Sequence, residues 1–129
     1  MERLINCEFI IDILEIENIS SASQHFEIIF STTDRKRYKF VFKRVWDMRY
    51  SIEITNVDRF CEFRKNLPAG LVESGIYIVE NSEYIKYFDS QVYGIYPTDE
   101  VTHYVIGDKS DTLLDIISWR HKPTLVPIS

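Results

Sequence analysis

The chain has 129 residues, 45% hydrophobic, 27% charged and 14% aromatic, and carries a formal net charge of −5. That length suits one domain with enough buried surface to fold without a metal or disulfide staple. With only four Gly and four Pro, collagen-like, low-complexity and wholly disordered chains are excluded.

The opening MERLINCEFI is acidic where a secretory leader would be basic, so no leader is expected. The apolar stretch 9–16 is interrupted by Asp12 and Glu15, well short of the roughly 20 residues that span a bilayer. Residues 8–19 are rich in isoleucine, which favours a strand, while a helix over Leu4–Ile16 stays open. From His25 to Ser31, Phe26, Ile28 and Phe30 alternate onto one face; the polar STTDRK follows. Tyr38, Phe40 and Phe42 then alternate with Lys39, Val41 and Lys43, which completes a β-hairpin. Tyr50, Ile52 and Ile54 alternate in the next run, so the first 55 residues read as one antiparallel meander.

The period then changes. Thr55 or Asn56 can cap a helix over 56–66, with Asp58 in its first turn and Val57, Phe60 and Cys61 on its apolar stripe. Leu67-Pro68 ends it. Residues 76–79 form a short strand, and Ser82 can cap a second helix reaching Phe88, with Tyr84, Ile85 and Phe88 buried. Residues 103–106 and 113–118 make a last pair of strands around the turn GDKSD. The expected fold is α+β: a single domain over 1–129, mainly one antiparallel sheet of about six strands, with two short helices.

No motif announces a chemistry. Cys7 and Cys61 stand 54 positions apart without CxxC spacing and read as free, buried, inert thiols of a cytoplasmic protein. The three histidines fall in separate segments with no HxxxH or HExxH, and DKSDTLLD lacks EF-hand spacing, so no metal is expected. His103, just after Asp99 and Glu100, reads as a sheet-edge histidine bonded to one of those acids. The four glycines form no phosphate-binding loop, so no cofactor and no enzyme activity are expected. RKRYKFVFKR interleaves bases with aromatics, but it lacks the small residues of an RNA-stacking strand, and the net charge disfavours nucleic acid.

Charge is unevenly spread: residues 34–49 hold seven bases and two acids, whereas 70–118 hold nine acids against Lys86 and Lys109. Asp99, Glu100, Asp108, Asp111 and Asp115 fall within 17 residues. Tyr77, Tyr84, Tyr87, Tyr93, Tyr96 and Tyr104 crowd into 28. Tyrosines among acids resemble the make-up of protein interfaces. The candidate partner-binding set is therefore the five acids with Tyr93, Tyr96 and Tyr104, facing a basic protein.

SEYIKYFDSQVYGIYP and HYVIGDKSDTLLDIIS, with Pro123 beyond, resemble the C-terminal half of small bacterial proteins, some of which look like immunity partners of polymorphic or contact-dependent toxins. The resemblance implies stoichiometric inhibition of a toxin, often a nuclease, through an acidic surface. The expected function is a protein–protein interaction module of immunity or antitoxin type, with a basic toxin domain as partner and neither membrane nor nucleic acid involved. A homodimer stays open. The alternative is a small-molecule or regulatory binding domain without catalytic activity.

Overall fold

The computed structural model describes residues 2–93, 95 and 99–128. Nine strands and two helices follow in the order β1 (Arg3–Asn6), β2 (Ile13–Ala22), β3 (His25–Thr32), β4 (Arg37–Phe42), β5 (Val45–Ile52), α1 (Val57–Asn66), β6 (Gly75–Glu80), α2 (Glu83–Val92), β7 (Val101–Gly107), β8 (Thr112–Trp119) and β9 (Thr124–Ile128). The strands form two antiparallel sheets, one of five strands ordered β1-β6-β7-β8-β5 and one of four ordered β2-β3-β4-β9. The α+β class is as the sequence implies; the single sheet is not.

The expected meander ends at β4. β3 and β4 pair in the expected hairpin, with Phe26 opposite Phe42 and Phe30 opposite Tyr38. β5 instead crosses to the other sheet and pairs with β8, Arg49 standing opposite Asp115. Alternation gives a strand two faces, and it says nothing of which neighbour the strand will choose. Two strands escape the pattern altogether. β1 has only four residues, and β9 contains Pro127, which is tolerated because β9 is an edge.

Two clusters hold the layers together. Between the sheets, Ile13, Ile28, Phe30, Phe40 and Phe42 meet Ile76, Tyr104, Ile106, Leu114 and Ile116. Phe30 and Phe40 stack at 4.8 Å, and Phe42 meets Tyr104 edge-on at 5.6 Å. On the other face of the five-stranded sheet, Phe60 and Phe63 of α1 pack on Leu4, Tyr77, Val79, Val105 and Leu113. Asn56 caps α1 by accepting the N–H of Arg59, and Ser82 caps α2 by accepting that of Ile85. The buried stripe of α1 is Phe60 and Phe63; Val57 is 55% exposed and Cys61 is exposed, against the expectation for both. α2 runs on to Val92, one turn beyond Phe88.

Candidate functional site

The five candidate acids do not share a face. Asp99 and Glu100 precede β7 while Asp108 and Asp111 follow it, so the two pairs lie roughly 20 Å apart by strand rise. Glu100 accepts from Arg120 Nε at 2.7 Å. Asp108 is buried: its Oδ1 accepts the N–H groups of Ser110 and Thr112, and its Oδ2 accepts that of Ile16, all at 2.9 Å. It holds the β7–β8 turn against the edge of β2. Asp111 is exposed in that turn at φ 60°, with Arg64 3.9 Å away. Asp115 is completely buried, and Tyr104 lies in the core between the sheets. Burial removes Asp108, Asp115 and Tyr104 from any docking surface. Tyr93 is 87% exposed just after α2, and Tyr96 lies outside the described residues.

Asp115 instead centres a polar network beneath the helices. It points to the helix face because, in an antiparallel pair, it shares that face with Val105 and Arg49, opposite it on β7 and β5. Arg59 of α1 donates Nε to Oδ2 at 3.0 Å and Nη2 to Oδ1 at 2.5 Å, and Arg49 lies 3.5 Å from Oδ2. His103 Nε2 donates to Oδ1 at 2.7 Å. Burial alone would raise the Asp115 carboxyl; the hydrogen bonds from His103 and Arg59 outweigh it and hold the group well below the usual carboxylate range. Burial also holds His103 below the ordinary imidazole value, against the pull of Asp115.

A neutral His103 that donates from Nε2 has an acceptor at Nδ1. The Ser82 hydroxyl, 2.7 Å away, therefore donates to it while its oxygen accepts the Ile85 N–H. Tyr84 packs edge-on against His103 at 5.2 Å, carries the Arg49 guanidinium 3.8 Å over its ring, and donates its hydroxyl to Asp47 at 2.6 Å. Desolvation, then the bond to Asp47, pushes the Tyr84 phenol far up, so it stays a donor. Ser82, His103 and Asp115 thus stand in the order of a nucleophilic triad. All three side chains are buried, and the Ser82 hydroxyl is spent as a helix cap. The arrangement ties α1 and α2 to β5, β7 and β8. His103 is an interior histidine bonded to Asp115, where an edge histidine bonded to Asp99 or Glu100 was expected. Among the described residues no three His, Cys, Asp or Glu side chains gather as a metal site, and no helix is long and apolar enough to cross a membrane.

Among the described residues, the outer edge of β5 is open. An open groove of about 690 Å³ is lined along this edge by Val45, Trp46, Asp47 and Met48, by Phe88 and Val92 of α2, and by Phe26 with the β2–β3 turn. Trp46 stacks between Phe88 at 6.1 Å and Trp119 at 5.0 Å, and the guanidinium of Arg120 lies 4.2 Å over Trp119. The backbone groups facing the groove follow from the pairing. Glu53 N–H donates to Asp111 O, and Asp108 N–H donates to Thr112 O. Beyond the bulge at Val45/Asp47 the odd residues of β5 therefore bond to β8, while Met48, Tyr50 and Ile52 turn their N–H and C=O outward. The Ile52 carbonyl is taken by Asn56, and the Val45 N–H by Gln24. Among the described residues, none takes those of Met48 and Tyr50.

The other three edges are closed or poor. β1 is four residues long, and β9 carries Pro127. β2 is bulged and pinned by Asp108 and by Lys109, whose N–H reaches the carbonyls of Ile13 and Leu14. Little in the residue pattern points to this site, because an edge is defined by what fails to pair. A scan of known family models and searches of curated proteins and of solved structures find no match to this chain.

Proposed function

We propose that this chain is a protein-binding module that holds its partner stoichiometrically, of the immunity or antitoxin type, with a basic toxin domain as the partner. The observation that carries the binding reading is the open edge of β5 beside an aromatic groove. Unpaired N–H and C=O groups at Met48 and Tyr50 offer main-chain bonds to an extended segment, while Trp46, Phe88 and Val92 offer apolar contact to its side chains. The net charge of −5 favours the approach of a basic partner, and Asp47 is the charged residue lining the groove. The toxin-immunity character itself is supported by the resemblance of residues 82–97 and 103–118. A non-catalytic role accords with the closure of Ser82, His103 and Asp115 from solvent.

Photo-crosslinking in the native cell tests the reading. Benzoyl-phenylalanine replacing Tyr50 or Phe88 should trap one basic protein, and the same probe at Ile29, on the outer face of the four-stranded sheet, should not. Equal capture at all three positions, or none at 50 and 88, overturns it. A small-molecule reading is favoured by one feature, the groove volume, which falls within the range that ligand pockets occupy. In that case the trapped species would be absent, and a ligand bound in the groove would quench the fluorescence of Trp46.

A further inference from the structure

We infer that the β5 edge is self-complementary and that, in the absence of a partner, the chain pairs through it with a second copy of itself. This rests on the open-edge reading above and deepens it by naming an occupant. On the helix face of β5, Asp47 and Arg49 stand on either side of Met48. Their backbone groups bond inward to β8, and those of Met48 point outward. An antiparallel pair centred on Met48 sets each Met48 opposite the Met48 of the second copy, with two main-chain bonds between them. In that register Asp47 stands opposite Arg49 of the second copy, and Arg49 opposite its Asp47. Residues directly opposite share a face and lie close enough for their charges to attract. The two-fold therefore makes two ion pairs from residues two apart in one strand, which is the form an isologous interface takes.

The neighbouring contacts agree. Tyr50, two residues beyond Met48 on the seam, is 55% exposed in the single chain. Arg49 keeps 45% of its side chain exposed although it reaches Asp115 and covers Tyr84. Asp47 spends one oxygen, Oδ2, on the Tyr84 hydroxyl. Shifting the two-fold to Tyr50 puts Arg49 opposite Ser51 and forfeits both ion pairs. Joining two five-stranded sheets in this way also closes an edge that, among the described residues, is left unguarded. A partner strand at the same edge must then displace the second copy, so partner binding and self-association exclude one another.

The test is a charge exchange read by sedimentation equilibrium. The wild-type chain should sediment at twice its monomer mass at high micromolar concentration. Chains carrying Asp47→Arg or Arg49→Asp should each be monomeric, because each puts like charges opposite one another. An equimolar mixture of the two should recover the dimer, since every cross-pair in the mixed species is of opposite sign. A monomeric wild type, single variants that keep the dimer mass, or a mixture that stays monomeric overturns the proposal. Should either variant fail to fold, amide exchange on the wild type decides. The Met48 amide should lose at least tenfold in protection on dilution, while the Val45 amide, bonded to Gln24, should not change. Free exchange at Met48 at every concentration overturns the proposal. A monomeric wild type leaves the crosslinking test of partner binding untouched, and failed crosslinking leaves the dimer untouched.

Discussion

Arg59 and Asp115, 56 residues apart in the chain, meet in two parallel hydrogen bonds of 3.0 and 2.5 Å beneath helix α1. The carboxylate is completely buried, and only 10% of the arginine side chain is exposed. A fork of this kind is the strongest form of ion pair, and each member satisfies a charge that burial would otherwise penalise. Removing one member leaves the other charge buried without its counter-ion. Arg59→Met should therefore destabilise the fold by about 3–5 kcal/mol. Replacing Arg59 and Asp115 together with apolar residues should cost less than the single change. Urea titration of the single and double variants checks both, and equal losses would mean that the fork does not couple the two sites.

Acid should unfold this protein in two stages. His103 is neutral in the fold because burial lowers its affinity for protons, whereas in the unfolded chain it titrates near its usual value of about 6.5. Below that pH the unfolded state binds the extra proton, so stability falls as pH drops from about 7 towards 5. The depressed carboxyl of Asp115 acts in the same direction at lower pH: its contribution is present above about 4 and lost as pH falls further. His103→Gln should flatten the dependence between pH 7 and 5 and leave the steeper loss below 4. An unchanged slope in thermal melts at pH 5, 6 and 7 would place the titrating group elsewhere.

The two cysteines should differ in reactivity. Cys61 is exposed on α1, whereas Cys7 is half-buried between the sheets, where burial raises its thiol pKa. A thiol reagent should modify one equivalent quickly at pH 7 and the second far more slowly, at least tenfold. Cys61→Ser should abolish the fast phase. Two equally slow phases, as the sequence alone suggests, would mean that α1 turns Cys61 inward.

Asp108 and Asp111 should respond differently to the same change. Asp108 accepts three backbone N–H bonds and is buried, so Asp108→Lys should cost more than about 2 kcal/mol. Asp111 is exposed at φ 60°, a backbone conformation that Asn also tolerates, and the nearby Glu53 opposes its charge. Asp111→Asn should leave stability within about 0.5 kcal/mol. Chemical denaturation of the two variants side by side separates a turn staple from a solvated acid.

By itself the sequence determined most local elements, though not β1 or β9. The alternation of Phe26, Ile28 and Phe30 against Tyr38, Phe40 and Phe42 yielded the β3–β4 hairpin; Thr55 or Asn56 marked the start of α1, where Asn56 is the cap, and Ser82 marked that of α2. These signals are legible because side-chain period and capping chemistry act within a few residues. Tertiary structure alone decided which sheet β5 joins, that Asp115 meets Arg59 and His103, and that Asp108 turns inward to bond Ile16. An acid looks the same in sequence whether it is solvated or buried with a partner. The counter-charge that permits its burial here lies 56 residues away, and only chain topology brings it there. The open edge of β5 is decided in the same way, since it exists because no other strand among the described residues reaches it.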